Sequence, residues 1–409
     1  MSFQIFYNSV AGKGEGDVGK GWSHNHEIRL EEEEGGRGLT MYFGDGKESP
    51  YERGIGDLYV PAFGGIGVVK KEEEGYVYSM GAKGKYFFDK EGRILFIEGK
   101  NGEWKRFSYN EKGKLSKVEG ANGGSLLYTY NQAGRLICVE DHTGRKVRLW
   151  YQYGKLVQYI NEEGNSYYYG YNENGTMDSV KTPRGIIGVR NEYDGADRVV
   201  RQIMPDGGVV EFMYDLENKK TYMREQNGNM IIYERDDRYR NIKTIYQDGE
   251  ERFAYNDRNQ RTLYVDKNGN KTKYQYDKRG NLTEVENALG EKTIMEYDEK
   301  NRLITLRKPG PGSMTYEYDQ EGNVIKQRDA EGNVTTMEYW AYGRPKRISW
   351  PDGGTTEMTY EERGNMKSIT DPRGNRRWYE YDSLNRVAAM TDWKGRRRKK
   401  ARNIYKYNS

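Results

Sequence analysis

A Tyr-Asp dipeptide returns about every 21 residues along most of this chain, and this period constrains the fold more than any other feature. Thirteen of its fifteen first positions are Tyr, the exceptions being Phe88 and Arg235, and the second position is Asp or Asn in twelve copies. The first positions are residues 88, 109, 130, 151, 171, 193, 214, 235, 255, 276, 297, 318, 339, 360 and 381. A fixed period of this length indicates one small structural unit stacked many times.

A single copy of the repeat predicts a β-hairpin. Tyr274 and Tyr276 alternate with a polar residue, so a strand would place both rings on one face. Asp277 then begins a turn, because its carboxylate can accept the backbone N–H two residues later. Four residues after each first position comes Gly, Asn or Asp in thirteen copies, and these residues tolerate a left-handed backbone. We expect Leu282 and Val285 to be buried in the second strand, and a glycine-containing return turn to complete the unit.

Composition favours an all-β fold with thin, partly hydrated layers. Only 34% of the residues are hydrophobic and the mean hydropathy is -1.07, values that approach those of disordered chains. The 37 Tyr argue against disorder, because Tyr buries a large ring while its hydroxyl stays hydrogen-bonded. The 51 Gly suit many tight turns, and the absence of a 3.6-residue period predicts very little helix.

Charge and cysteine content exclude several classes of protein. The net charge is +4, but eight basic residues lie from Lys394 onward, which leaves residues 1–392 with a net charge of about -4. The single Cys138 excludes a disulfide framework and a cysteine metal site. No hydrophobic stretch approaches the ~20 residues of a membrane helix. The N-terminal residues lack the basic and apolar regions of a signal peptide.

The repeat resembles that of the Rhs or YD-repeat family over nearly the whole chain. The form Y-D-x-x-G-[NR]-L, with some variation, is written out at residues 276–282, 318–324 and 130–136. In front of the repeats, Phe-Tyr-Asn-Ser at 6–9 and Gly-Lys-Gly-Trp-Ser-His-Asn at 19–25 are similar to the domain of unknown function that precedes Rhs repeats. We therefore divide the chain into a front segment of residues 1–82, YD repeats at 83–392, and a basic tail at 393–409.

The resemblance implies a long β-sheet strip that spirals into a hollow shell. Relatives include bacterial polymorphic toxins, the cocoon components of insecticidal toxin complexes, and animal teneurins. In the bacterial relatives the shell encloses a C-terminal toxin, and the activity belongs to the toxin. The resemblance also suggests a secreted or cell-surface location. Fifteen hairpins give about thirty strands, and at ~4.8 Å per strand the strip is roughly 140 Å long, about one turn of a spiral with open ends.

Two departures from the family limit this analogy. Members that hold a toxin end their repeats in a DPxGL-type sequence where the shell cuts itself. Residues 371–375, Asp-Pro-Arg-Gly-Asn, lack the Leu, and we interpret them as an ordinary return turn. About seventeen residues follow the repeats, too few for a toxin domain. We therefore expect a short or remnant element without its own toxin.

Candidate residues for chemistry are few. His24 and His26 would share one face of a strand and could bind a metal, but no further ligand has matching spacing, so we interpret them as structural. We interpret Cys138 as a small buried hydrophobic residue, and His142 is the third and last histidine of the sequence. Glu31 to Glu34 and Glu72 to Glu74 are interpreted as solvated charges, and most Asp as turn residues. We predict no catalytic residue, no metal and no cofactor, and leave ligand-binding residues unassigned.

Partners follow from the same features. We expect a shell that encloses or presents another polypeptide, or that a second shell chain closes. The alternative is a carbohydrate- or surface-binding adhesion module, in which exposed Tyr rings stack on sugars. The simpler interpretation of the tyrosines is structural: they form cross-strand ladders that hold the sheet together, in pairs such as Tyr128/Tyr130, Tyr316/Tyr318 and Tyr379/Tyr381. Residues 393–402 could contact phosphates or an anionic membrane. We interpret them as a solubilising tail or as the remnant of a recombined cassette, and do not expect nucleic-acid binding.

Overall fold

The computed structural model describes residues 2–9, 15–62, 67–80, 84–99, 103–121, 123–362, 364–382, 386–391 and 396–399. In these ranges the strands, β1 to β41 in chain order, are Ile5–Tyr7, Glu15–Gly16, Gly19–Lys20, Trp22–His24, Arg29–Glu32, Gly38–Tyr42, Glu48–Arg53, Leu58–Pro61, Val68–Glu72, Gly75–Ser79, Gly84–Phe88, Ile94–Gly99, Trp104–Tyr109, Leu115–Gly120, Ser125–Tyr130, Leu136–Asp141, Lys146–Gln152, Lys155–Ile160, Ser166–Tyr171, Met177–Lys181, Ile187–Tyr193, Val199–Ile203, Val209–Asp215, Lys220–Arg224, Met230–Arg235, Asn241–Tyr246, Gly249–Tyr255, Arg261–Val265, Lys271–Tyr276, Leu282–Glu286, Lys292–Tyr297, Leu303–Arg307, Met314–Tyr318, Val324–Arg328, Val334–Trp340, Arg344–Ser349, Thr355–Tyr360, Met366–Thr370, Arg376–Tyr381, Val387–Thr391 and Arg397–Lys399. A short 3-10 turn, Ala341–Gly343, precedes β36. The prediction of an all-β fold with very little helix is confirmed.

From β5 onward the strands form one open antiparallel strip in which each strand pairs with its chain neighbours. The strip begins at Arg29, so strands of the predicted front segment belong to the same sheet as the repeats. Before it, β1 pairs with β4 and β2 with β3 in two small ribbons. We call residues 2–28 the front ribbon. No helix in the described part of the chain is long and apolar enough to cross a membrane.

The repeats fold as the predicted hairpins, and all of them except the hairpin of β23 and β24 have a β-bulge next to the turn. In the hairpin of β29 and β30 the register shifts at Tyr276. The Asp277 carboxylate accepts the backbone N–H groups of Arg279 and Asn281, both at 2.9 Å. Gly280 has a φ of 93°, in the left-handed region that a side chain would strain. Two predictions about this turn are confirmed. The Asp carboxylate accepts the backbone N–H two residues later, and the residue three places after the Asp has a left-handed backbone.

The residue that follows the left-handed position closes the turn through its side chain. The Asn281 amide donates to the Asp277 carboxylate at 2.9 Å. Where the position holds Arg, Arg302 Nε donates to Asp298 at 2.6 Å. The Arg302 guanidinium also lies 4.7 Å from the ring centre of Tyr318 in the next repeat. The Asn-or-Arg alternation of the motif thus reflects two ways of bonding the same carboxylate.

The first-position Tyr hydroxyl joins each repeat to the one before it. Tyr297 donates to the carbonyl of Leu282, the first residue of β30, at 2.9 Å. A bulge takes one residue out of the regular ladder, so this carbonyl needs another donor. The same bond reaches a carbonyl 14 to 16 residues earlier from Tyr109, Tyr130, Tyr151, Tyr171, Tyr193, Tyr214, Tyr255, Tyr276, Tyr318, Tyr339, Tyr360 and Tyr381.

The two exceptions to Tyr occur where the preceding hairpin offers no such carbonyl. The ladder between β23 and β24 runs without a register shift, and the next first position is Arg235. There the backbone N–H of Arg235 donates to the carbonyl of Lys219 at 2.9 Å. Phe88 begins the first copy, so no YD hairpin precedes it. The choice of residue at the first position therefore follows the geometry of the hairpin before it.

The strip curves toward the face that carries these tyrosines, which we call the inner face. Tyr51 on β7 and Tyr78 on β10 are three strands apart, a distance of about 14 Å in a flat sheet. Their ring centres lie 6.2 Å apart. Tyr78 in turn contacts Tyr86, which lies on the same face of β11 as the first position Phe88. The inner face is therefore concave.

The winding brings late repeats back against the first ones along a line that we call the seam. A cavity of about 480 Å³ is lined by Lys85 and Glu98 from β11 and β12 together with residues 299–302 and 320–322. A second cavity of about 290 Å³ joins residues of β11 to β14 with Tyr342 and Arg344. The described strip therefore winds far enough for late repeats to lie against early ones.

Candidate functional site on the inner face

The front ribbon lies across the inner face of the first repeats and is held by hydrogen bonds from several strands. Trp22 Nε1 donates to the Tyr171 hydroxyl at 2.9 Å. The Tyr7 hydroxyl accepts the backbone N–H of Met177 at 2.8 Å. The backbone N–H of Leu136 donates to the Asp17 carbonyl at 2.9 Å. These contacts span β16 to β20, so the ribbon fills the concave side of that part of the strip.

Burial of the inner face changes where the ribbon ends. The contiguous cluster of buried hydrophobic residues in the described chain starts in the ribbon at Val18 and stops at Met177. Beneath the ribbon the inner positions are aliphatic or aromatic and closed to solvent, as in Leu126 and Leu149. Further along, equivalent positions such as Tyr274 and Met295 are half-buried. Leu282 and Val285, which we expected to be buried, are also half-buried because nothing covers this part of the strip in the described chain.

Two histidines are buried between the ribbon and the strip. The exposed fractions of His24 and His26 are 1% and 3%. The Tyr128 hydroxyl lies 2.7 Å from His26 Nδ1, and His24 Nδ1 accepts the backbone N–H of His26 at 3.3 Å. The Nε2 atoms of both rings are buried without a hydrogen-bond partner. Burial lowers the pKa of His24 to about 4 and that of His26 to about 3, so both rings are neutral near pH 7.

Two carboxylates complete this polar cluster. Burial raises the pKa of Glu27 to about 7, and its Oε2 atom has no partner. Asp17 accepts hydrogen bonds from Lys114 Nζ at 2.6 Å and from the Tyr130 hydroxyl at 3.1 Å. A cavity of about 330 Å³ lies among these side chains. In the described ranges no three His, Cys, Asp or Glu side chains lie close enough together to hold a metal ion.

The other candidate residues lie apart from this cluster. Cys138 is half-buried, and burial raises the pKa of its thiol, which disfavours the thiolate needed for nucleophilic chemistry. His142 is exposed in a return turn. Asp371 accepts the N–H groups of Arg373 and Asn375 at 2.9 Å each, the same geometry as in the other turns. The basic tail lies outside the described residues except for Arg396 and the backbone of β41, which pairs with β40.

One of the acidic residues expected to be solvated has an internal role instead. Glu32 accepts hydrogen bonds from the hydroxyls of Tyr59 at 2.5 Å and Tyr76 at 3.0 Å. It also pairs with Lys71 at 2.7 Å. Partial burial would raise the pKa of Glu32, but these bonds outweigh that effect and lower it. The sequence did not distinguish Glu32 from the neighbouring glutamates, because its hydrogen-bond partners are 27 to 44 positions away.

The inner tyrosines hold the repeats together differently from the expected cross-strand ladders. Tyr128 faces Val139 across the strands, and Tyr316 faces Gln327, so neither pairs with another ring there. The bond that recurs is the hydroxyl-to-carbonyl bond between successive repeats, as from Tyr381 to Met366 at 2.9 Å. Sequence analysis missed it, although the fixed Tyr in place of Phe was a signal that the hydroxyl is used.

The strip of hairpins and the tyrosines that line its inner face define a structural repeat protein of the YD-shell class. The profile of the Teneurin YD-shell family matches residues 71–229 and 292–400, more than half of the chain. The chain belongs to this family. Residues 1–51 match a domain of unknown function, and residues 255–285 match the RHS repeat.

Solved structures are similar to the chain at low sequence identity. The crystal structure of TcdB2-TccC3-TEV is similar over 90% of this chain and 23% of its own length, with 13% identity and a TM-score of 0.48. A Tc holotoxin pore of Photorhabdus luminescens is similar over 88% of this chain and 27% of its own length, with 11% identity and a TM-score of 0.38. The chain therefore spans about a quarter of the length of these structures. Comparison with curated proteins gives no match.

Proposed function

We propose that this chain forms the wall of a hollow shell whose inner face encloses or presents another polypeptide. The observation that carries the proposal is the change in the inner face at Met177. Before this residue the concave face is closed by the chain's own front ribbon, and after it most described positions of the same face are half-buried, with Ile231 and Met358 as buried exceptions outside the cluster. A concave aromatic lining suits an enclosed chain, whereas an exposed convex stripe would suit a surface ligand.

The chemistry of the uncovered lining supports a polypeptide as its occupant. Its side chains include Tyr274, Met295, Tyr316 and Met337, all half-buried. Met adapts its shape to irregular apolar groups, and Tyr offers a ring together with a hydrogen-bonding hydroxyl. Such a surface holds extended chain segments weakly and without sequence preference. The front ribbon, which is held on the strip through its Trp22 and Tyr7 side chains, is an example within the same molecule.

The proposal predicts that charges on the inner face weaken binding of an unfolded polypeptide. The doubly substituted chain Met295→Glu with Tyr316→Glu places two carboxylates on the uncovered lining. We expect its affinity for reduced, carboxymethylated lactalbumin, measured by fluorescence anisotropy, to fall at least about tenfold, since buried charge without a partner is costly.

The matched control is Met213→Glu, whose side chain points away from that of its inner-face neighbour Tyr214 in a ladder without a bulge and is 59% exposed. This variant should bind the polypeptide as the unmodified chain does. Equal losses in the two variants, or no binding by the unmodified chain, would contradict the proposal. Circular dichroism and melting of each variant verify that the strip remains folded.

That this chain is a short or remnant element without its own toxin remains part of the proposal. The DNA on either side of its gene tests this, because a continuous reading frame into a toxin domain would contradict it. Closure of the open ends by a second shell chain is likewise proposed. The adhesion alternative remains a prediction that binding to a glycan array would support.

A further inference from the structure

A backbone N–H beside the bulge of each hairpin points out of the regular ladder. In the hairpin of β29 and β30, the Asp277 N–H donates to the Asn281 carbonyl at 2.9 Å, so Tyr276 and Leu282 beside them form a non-hydrogen-bonded pair. The N–H of Leu282 therefore points away from β29 and toward β31. The ladder between β30 and β31 begins only at Glu284. The bulge thus directs one N–H in this hairpin beyond the paired part of the sheet.

The front ribbon binds this N–H in two of the repeats that it covers. Leu136 and Met177 stand opposite first-position tyrosines, as Leu282 does. The Leu136 N–H donates to the Asp17 carbonyl at 2.9 Å, and the Met177 N–H donates to the Tyr7 hydroxyl at 2.8 Å. Both acceptors belong to the ribbon, which lies on the inner face. A chain that covers the inner face can therefore reach this N–H.

A proline at the same place shows that the sheet does not need this N–H. Pro345 stands opposite Tyr339 and has no N–H to donate. Its strand still pairs with both neighbours, and its carbonyl accepts the Tyr360 hydroxyl at 2.7 Å as in the other repeats. Proline is excluded from central strands where its N–H would enter the ladder. The N–H at this position therefore serves a partner outside the ladder in the repeats that possess one.

Five successive hairpins carry this N–H in a part of the strip beyond the ribbon. We call these N–H groups the donor row. It starts after the hairpin of β23 and β24, which has no bulge, and stops before Pro345. Two strands separate each donor from the next, so the spacing is roughly 9.6 Å. The donors belong to Asn241, Arg261, Leu282, Leu303 and Val324.

We propose that the donor row binds a polyproline-II segment of the enclosed polypeptide through its backbone carbonyls. The inference rests on the proposed function and adds the conformation of the bound chain. A polyproline-II helix turns the same side to a surface every three residues, about 9.3 Å, which is close to the spacing of the donors. An extended strand presents carbonyls to one side about every 6.8 Å and does not match.

The chemistry of a polyproline-II helix agrees with this geometry. Its backbone forms no internal hydrogen bonds, so its carbonyls remain available as acceptors. First-position tyrosines such as Tyr297 and Tyr318 lie on the strands between the donors, and proline-rich segments bind in grooves lined by aromatic rings. Five donors at this spacing match a segment of about thirteen residues.

Binding of defined peptides tests the inference. Fluorescence anisotropy on the full chain would compare a labelled oligoproline of that length with a Gly-Ser peptide of equal length and with reduced, carboxymethylated lactalbumin. We expect the oligoproline to bind at least about tenfold more tightly than the Gly-Ser peptide and to displace the lactalbumin. If lactalbumin binds but the oligoproline does not, or does not displace it, this inference is overturned and the proposed function stands. If nothing binds, both fail.

Substitutions then assign the donors. The double variant Leu282→Pro with Leu303→Pro removes two N–H groups, as Pro345 does naturally, so oligoproline binding should weaken at least about tenfold. The matched control, Leu282→Ala with Leu303→Ala, keeps both N–H groups and should retain most of the binding. Melting followed by circular dichroism verifies that each variant is folded. Equal binding by the two folded double variants would refute the role of the N–H groups.

A gain of one donor tests the same row without removing anything from it. Pro345→Leu supplies the missing N–H and joins the row to the next hairpin, in which Met366 holds this place. An oligoproline long enough to span the extended row should then bind more tightly than it does to the unmodified chain. Unchanged affinity would contradict the inference.

Discussion

At the scale of single residues, the tyrosine hydroxyl explains why the repeat uses Tyr and not Phe. Each hydroxyl satisfies a carbonyl that the bulge of the preceding hairpin removes from the ladder, as between Tyr297 and Leu282. The exception at Arg235 supports this explanation, because the preceding hairpin has no bulge. The aromatic ring fills the layer, but the hydroxyl sets the spacing between repeats.

This role predicts a specific cost for losing one hydroxyl. Tyr297→Phe keeps the ring but leaves the Leu282 carbonyl without its donor, so we expect a loss of about 1–3 kcal/mol in the free energy of unfolding. Denaturant titration followed by circular dichroism measures it. Tyr274→Phe, on the same face of a neighbouring hairpin, is the control, because the Tyr274 hydroxyl only accepts a 3.2 Å bond from Arg261. Equal effects of the two substitutions would disprove the special role of the first position.

At the scale of elements, the hairpin was predictable from the sequence and the ribbon contacts were not. The turn at Asp277 and Gly280 follows from residue types within a few positions of one another. The contact between His26 and Tyr128 joins residues 102 positions apart, and no local pattern encodes it. The sequence allowed a metal site at His24 and His26 because their two-residue spacing places both side chains on one face of a strand. It does not show which residues lie against that face.

The buried histidines predict how stability depends on pH. The folded-state pKa of His24 is lowered from 6.5 to about 4, so its contribution is complete above pH 6.5 and is lost as the pH falls toward 4. The pKa of Glu27 is raised from 4.5 to about 7, so its contribution is complete below pH 4.5 and is lost as the pH rises through 7. The two groups therefore act in opposite directions between these limits.

Replacing His24 should remove the first of these effects. Between pH 6.5 and 4.5 the melting temperature of the unmodified chain should fall more steeply than that of His24→Phe, which keeps a ring beside Phe3. Differential scanning calorimetry at several pH values measures both. The exposed His142→Gln variant should follow the unmodified chain. Parallel curves for all three chains would show that His24 does not titrate as described.

At the scale of the whole molecule, the strip has a covered and an uncovered region that share one fold. The period predicted about one turn of winding, because strand number and spacing fix the length of the strip. It could not predict the cavities at the seam, one of which joins residues of β11 to β14 to Tyr342 and Arg344 across the winding. Nor could it show that the buried cluster ends at Met177, since this depends on where the ribbon lies.

This division predicts uneven local stability. Backbone amides of β15 to β18 lie beneath the ribbon in a closed apolar cluster, whereas those of β29 to β34 lie beside half-buried side chains. We expect hydrogen exchange, followed by mass spectrometry, to be at least tenfold slower in the first group. Uniform exchange along the strip would show that the ribbon adds no local stability.

The hydroxyl bonds between repeats all point in one direction along the chain. Each tyrosine reaches back to a carbonyl of the hairpin made before it, as Tyr318 does to Leu303. A ribosome produces the earlier hairpin first, and the next repeat to emerge supplies the donor that it lacks. The strip is therefore suited to folding during synthesis, one repeat at a time, because each new repeat supplies the hydroxyl donor for the carbonyl beside the previous bulge.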